Sequence, residues 1–326
     1  MSLDALLLPR AHALALAVFF ISSSTGCIKS ILIDGQIQST RKASAALDTL
    51  GDYELGRTAV RAGVAQFEGM HALAPDNGDA LFLLTKSWAS YAFAFLEDDL
   101  EVAEDVGDDA RVAALRKSAR EAYDRAIDAG VTLLSQRDRG FPEARRDAQT
   151  LSGWLARAFV EKGDAPALVW TGQAWLGRVD LMRGEDDGAA FIADAWIGAV
   201  LLERAVALDP EAEHSAGLAT LAAYHSSTGY SLLDQGRAMF EKLRAGRERS
   251  NLLVEFLYAK TYACVKGDGK LYEALLQDVV KGSSSAEQRL QNAVAQRRAS
   301  RWLAVRRAKD ACGIDVSPQE SRVSRR

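Results

Sequence analysis

The placement of helix-breaking residues constrains this chain more than any other feature. Only six prolines occur in 326 residues (Pro9, Pro75, Pro142, Pro166, Pro210 and Pro318), and Ala, Leu and Arg fill the stretches between them. These are strong helix formers, so a large β domain is excluded. Apolar residues recurring with a helical period predict segments 36–50, 52–73, 77–96, 109–135, 145–162, 165–183, 189–208, 213–226, 230–246, 251–266, 270–281 and 285–311. Almost every break is a cluster of Gly, Pro or Asp. The breaks at 76–79 and 209–213 stop one helix and offer N-cap chemistry to the next, with connections short enough to force antiparallel hairpins. The predicted fold class is all-α. With 48% hydrophobic residues, a chain this long buries roughly three quarters of its unfolded surface. It needs no metal or disulfide staple, which excludes a disulfide mini-protein.

A short pattern, small-x₃-large-x₂-apolar, appears four times: Gly63/Phe67/Met70, Ala119/Tyr123/Ala126, Gly198/Leu202/Ala205 and Gly236/Phe240/Leu243. In FEGMHALAPDN and LLERAVALDPE a proline follows, as at the end of the second helix of a tetratricopeptide repeat. The small residue lets two helices approach, the large one fills the gap to the next pair, and the proline ends the helix. The copies start 56, 79 and 38 residues apart, so the expected architecture is a compact superhelix of degenerate repeats. The alternative is a non-repetitive bundle.

The N-terminus reads as an address. Residues 10–21, RAHALALAVFFI, are too short to span a bilayer of ~30 Å and resemble a signal h-region. Ser22, Ser23, Ser24, Thr25 and Gly26 lead to Cys27 in the manner of a bacterial lipobox. The expected organisation is a lipoprotein signal peptide over 1–26, a lipid-anchored tether over 27–35, a helical domain over 36–312 and a disordered tail over 313–326. Cys27 would carry the lipid, and Ile28 in place of Asp points to the periplasmic leaflet of the outer membrane. An ordinary secretory signal gives the same compartment.

Reactive constellations are absent. His71, His214 and His225 lack a second ligand at helical spacing, and no H-E-x-x-H, G-x-S-x-G or Walker-type motif occurs. No metal, cofactor or catalytic residue is expected. Glu211, Glu213 and His214 could be imagined as an acid–base set, but acids there simply complement a helix N-terminus. The acidic run Glu97, Asp98, Asp99, Glu101, Glu104, Asp105, Asp108 and Asp109 lacks the glycine and final glutamate of a calcium loop and reads as a solvated interhelical loop. Arg297, Arg298, Arg301, Arg306, Arg307 and Lys309 form a basic helix, read as a solvated face. Nucleic acid is out of reach after export. Cys264 and Cys312 lie near the C-terminal ends of the first and third helices of a run. Those helices are parallel, so the two thiols are candidates for a disulfide; the alternative is two small buried hydrophobes.

Trp88, Tyr91 and Phe95 share a helical face, and Trp170, Trp175, Tyr224, Tyr258 and Tyr262 follow in later helices. Such rings are core residues or the wall of a cavity, with Ser87, Ser90, Gly172 and Gly177 leaving room. Taken with the ordered segments LAPDNGDALFLLTKSWASYAFAFLEDD, LVWTGQAWLG, LLERAVALDPEAEHSAGLATLAAYHSSTG, VEFLYAKTYACVKGDGKLYEALLQDVV and LQNAVAQRRASRWLA, the sequence from 36 to 312 resembles the TatT component of TRAP transporters. The loop 226–229 departs from the proline and paired glycines of relatives. The resemblance implies a periplasmic tetratricopeptide-like lipoprotein with an elongated pore, paired with a TatP-like substrate-binding subunit. On that basis the eight rings are the expected ligand wall for an apolar organic solute, and a homo-oligomer is a further expected partner. A scaffold for envelope assembly and an all-helical enzyme are the alternatives.

Overall fold

The computed structural model describes residues 31–317 apart from 228–231, 247–250 and 284. The segment expected to be a signal peptide, Cys27 and the residues from 318 onward lie outside the described residues. Among those described there is no strand, and the fold is all-α.

Helix α1 covers 31–43, so the last five positions of the expected tether already belong to it. It is followed by α2 (Tyr53–Leu73), α3 (Gly78–Tyr91), α4 (Glu97–Val106), α5 (Asp109–Ser135), α6 (Phe141–Ala144), α7 (Ala148–Ala158), α8 (Ala165–Leu181), α9 (Gly188–Ala193), α10 (Ala195–Leu208), α11 (Ala212–Ser227) and α12 (Leu233–Ala245). The C-terminal part holds α13 (Leu252–Leu257), α14 (Cys264–Lys266), α15 (Gly269–Lys281), α16 (Arg289–Trp302) and α17 (Val305–Cys312). The boundaries follow capping chemistry. Asp52, Asn77, Asp108, Asp147 and Asp268 each accept a hydrogen bond from the backbone N–H three residues on. Gly107, Gly267 and Gly313 close helices in the left-handed conformation.

Neighbouring helices pack in series, α2 on α3, α3 on α5, α5 on α8, α8 on α10, α10 on α11 and α11 on α12, before α13, α15 and α16 form the C-terminal group. All twelve positions of the small-x₃-large-x₂-apolar pattern are buried. The crossing of α8 and α10 shows the steric reason. A Cβ on Gly172 would lie 3.0 Å from the Gly198 carbonyl oxygen, and one on Gly198 would lie 3.1 Å from that of Gly172. Backbone touches backbone there, and no larger residue fits.

Two regions read as solvated in the sequence are instead joined inside the fold. The acidic run from Glu97 is helix α4, not a loop, and its acids meet the arginines of α16 and α17. Arg298, 1% exposed, donates to Glu101 Oε1 at 2.5 Å, Glu97 Oε2 at 3.2 Å and the Phe93 carbonyl at 3.1 Å. Arg297 and Arg301 both reach Asp98 at 2.7 Å, and Arg307 holds Asp105 at 2.7 Å and Glu104 at 3.0 Å. Tyr53 on α2 donates to Asp98 as well, at 2.7 Å. Charges this deep persist only when paired and hydrogen-bonded on every side. The contact spans about two hundred residues of sequence, which is why neither run betrayed its partner. Cys264 and Cys312 form a disulfide with a Cα separation of 4.9 Å, tying α14 to the end of α17. Beyond it Ile314 and Val316 are buried, so residues 313–317 of the expected tail pack against the C-terminal core.

Candidate functional site

Four helical stretches surround an internal cavity of about 260 Å³. They are α3 with its continuation to Glu97, α8, α11, and α13 with its continuation to Thr261. Each contributes one face at helical spacing: Leu83, Lys86, Ser87 and Ser90 from α3, for example, and Ala216, Ala219, Ala223 and Tyr224 from α11. All four run in the same direction. At one end Lys86 Nζ of α3 lies 3.1 Å from Glu213 Oε2 of α11, and its ammonium sits 5.1 Å from the Trp170 ring of α8. The Asn251 amide, just before α13, donates to the His214 carbonyl at 3.2 Å. At the other end Lys260 Nζ meets Asp180 Oδ2 of α8 at 3.5 Å, and Arg183 donates to the Ser227 carbonyl of α11 at 3.2 Å. Trp170 and Arg183 are separated by thirteen residues, so the cavity is about 20 Å long at the helical rise of ~1.5 Å per residue.

Its middle is apolar, with Phe67, Phe93, Leu176, Val254 and Leu257 among the lining residues, while charge gathers at the ends. Burial works against the Lys86 ammonium, but Glu213 and Asp48, 3.6 Å away, outweigh it and hold its pKa above the ordinary lysine value. Burial likewise disfavours the Asp180 carboxylate, yet Lys260 and Arg183 keep it ionised, its pKa below the usual value. Asp180 retains 48% of its side-chain surface although protein surrounds it, because what it faces is the cavity. The Tyr123 hydroxyl donates to Glu97 Oε1 at 2.5 Å, and burial pushes the Glu97 carboxyl up against the opposing pull of Arg298.

Backbone irregularities cluster here. The segments Ala92–Leu96 and Tyr258–Ala263 are π-helical, and each feeds side chains into the wall: Phe93 and Phe95 from one, Lys260 and Thr261 from the other. At the start of α11, Glu213, His214 and Ser215 all have positive φ, of 50°, 58° and 61°. None is glycine, and each such residue costs roughly 1–2 kcal/mol. The Lys86 ion pair and the Asn251 hydrogen bond hold this left-handed turn at the mouth of the cavity. Glu213 is therefore an ion-pair partner of Lys86.

Of the eight rings expected in the wall, Phe95, Trp170 and Tyr224 line the cavity. The other five lie in helix contacts. Trp88 donates its indole N–H to Glu68 at 2.8 Å and stands edge-on to Tyr91, whose ring packs on Phe95. Trp175, 2% exposed, packs on Phe141 in the core. Tyr258 stacks on Phe240 and donates to Glu241 at 2.8 Å, with Tyr262 beside it. Sequence reasoning missed Phe67, Phe93, Tyr123 and the two lysines. The lysines did leave a signal: Lys86 in LFLLTKSWAS and Lys260 in FLYAKTYAC each stand alone in an apolar stretch. Among the described residues no His, Cys, Asp and Glu group could hold a metal, and no helix is long and apolar enough to cross a membrane.

The described residues form an all-α protein with a long cavity between co-directed helices. The family model of the TRAP transporter T-component matches residues 50–309, and the chain belongs to that family. This is a family of transporter components and not of enzymes, and it links the chain to the TRAP uptake system. No curated protein matches the chain.

Proposed function

We propose that this chain is the periplasmic accessory subunit of a TRAP-type solute uptake system, anchored through a lipid on Cys27 in the outer membrane. It docks on the transporter's substrate-binding subunit and holds or relays an apolar organic ligand, and no reaction is assigned to it. Its helix pairs act as degenerate tetratricopeptide-like repeats, a scaffold suited to presenting a partner surface. The observation that carries this reading is the elongated apolar cavity bounded by α3, α8, α11 and α13 with ion pairs at its ends. Each Å² of apolar ligand surface buried there contributes about 25 cal/mol. The test is to express the full chain with the neighbouring substrate-binding subunit, capture one through a tag on the other, and analyse the complex by native mass spectrometry. A stable complex with a cleaved, acylated N-terminal Cys27 is expected. Two separate, unliganded proteins and an unprocessed N-terminus would remove the reading.

A further inference from the structure

Helix α1 runs beside α3 in the same direction. The Asn77 side-chain amide, at the start of α3, donates to Asp34 at 2.7 Å. Further along both helices Arg41 pairs with Asp79 and lies over the Phe82 ring at 3.9 Å, and beyond them Asp48 reaches Lys86 at 3.6 Å. The first turn of α1 therefore projects past the start of α3. Asn77 and Lys86 are nine residues apart, about 14 Å at the helical rise of ~1.5 Å per residue, so this turn stands outside the Lys86 end of the cavity. Helix α2 ends at the same place, where Ile33 and Ala74 pack on one cluster with Ile37, Phe67 and Met70.

Three large aliphatic side chains stand in water at this tip. Ile31, Leu32 and Leu73 are 69%, 68% and 67% exposed. Apolar groups gathered at one point of a folded surface mark a contact. What covers them follows from the length of chain that precedes α1. Cys27 lies four residues before Ile31, a span of at most about 14 Å. An acyl group on Cys27 thus holds the tip at the level of the lipid headgroups.

We infer that Ile31, Leu32 and Leu73 form a membrane-contact surface, which enters the bilayer interface and stands the protein end-on. This rests on the proposed acylation of Cys27 and adds an orientation that a tether alone leaves free. The Lys86 end of the cavity then faces the bilayer, and the Lys260 end faces away from it, toward a soluble partner. Helix α3, its π-helical continuation and α4 make one helical run over 78–106, so Val106 lies about 40 Å from the start of that run. Burying the exposed two thirds of an Ile or Leu side chain favours the contact about tenfold, and the three together on the order of a thousandfold.

The test uses the full chain with its lipid attached, reconstituted in phosphatidylcholine vesicles. Cys264 is bonded to Cys312 and Cys27 is blocked by acylation, so an introduced cysteine is the reactive one. Leu32→Cys, Leu73→Cys and, as the distant control, Val106→Cys each carry a nitrobenzoxadiazole fluorophore at a position exposed enough to leave the fold intact. Lipids with a nitroxide near the headgroup should quench most of the fluorescence at Leu32 and Leu73 and leave Val106 unchanged. Adding Ile31→Asp and Leu32→Asp to the chain labelled at Leu73 should abolish its quenching. Equal quenching at all three positions, none at Leu32 and Leu73, or quenching at Leu73 that survives both aspartates overturns the orientation. An acylated Cys27, read by mass spectrometry, leaves the anchor reading standing in each of those cases. Labels shielded from aqueous dithionite yet unquenched by lipid place a second copy of the chain on the tip and overturn it too. An unacylated Cys27 removes anchor and orientation together.

Discussion

Replacing Arg298→Met tests whether the acidic helix and the basic C-terminal helices form a structural clasp. The guanidinium is buried, and it bonds both Glu97 and Glu101 while capping the Phe93 carbonyl of the π-helical segment. Methionine fills much of the same space, so the change removes charge more than volume. Removing one partner of a buried pair costs about 3–5 kcal/mol. Glu101 keeps Arg301 at 2.8 Å, which places the expected loss near the lower limit, about 3 kcal/mol. Urea unfolding followed by circular dichroism should show this as a midpoint lower by about 1 M, for a slope near 3 kcal/mol/M. The loss should also depend on pH. The Glu97 carboxyl is already raised by burial above its ordinary value of 4.5. An acid with a raised pKa in the folded state binds more protons there than when unfolded, so stability falls as pH rises through the folded pKa. Without Arg298 that pKa climbs further and the Glu101 carboxyl, now held down by the arginine, rises too. The deficit should thus be smaller at about pH 5 than at about pH 8. Adding Glu97→Gln and Glu101→Gln to the variant should recover much of the loss at the higher pH. A loss below about 1 kcal/mol, or a deficit unchanged across that range, would refute the idea that these charges hold the two ends of the chain together.

Other perturbations have equally definite outcomes. Cys264→Ser with Cys312→Ser opens a loop of 48 residues and should lower stability by about 4 kcal/mol on the chain-entropy account, read as a lower thermal midpoint matched by the parent protein under reductant. Gly172→Ala forces a methyl group to within 2.7 Å of Leu202 and should destabilise by about 1–3 kcal/mol in the same unfolding assay. An unchanged midpoint would mean that α8 and α10 can separate freely. His214→Gly relieves one of the three positive-φ residues and should stabilise the protein by about 0.5–1 kcal/mol, the relief exceeding the entropy glycine adds to the unfolded chain; a destabilised variant would show that the turn is not strained.

The helical order was legible because it is written locally. Caps such as Asp52, Asn77 and Asp108 stand where the periodic pattern starts, and Gly107 and Gly267 where it stops. The buried face of four helices could be read from a spacing of four and three. What failed was everything decided by distant partners. Asp98 and Arg301 are each surrounded by like charges in sequence and by opposite ones in space, and a local reading of such runs defaults to solvent. The wall of the cavity was only partly legible for a similar reason. Trp170 and Trp175 lie on the same helix among the same kinds of neighbour, yet one faces the cavity and the other faces Phe141. Which face of α8 looks inward depends on how α5 and α10 flank it.

Because the four bounding helices share one direction, their amide dipoles add instead of cancelling. Positive partial charge collects at the Lys86 end and negative at the Lys260 end. The fixed charges answer in kind, with two acids sharing one lysine at the former, and Lys260 and Arg183 sharing Asp180 at the latter. The enclosed space therefore has a head and a tail, and a guest with unlike termini has one preferred way to lie in it.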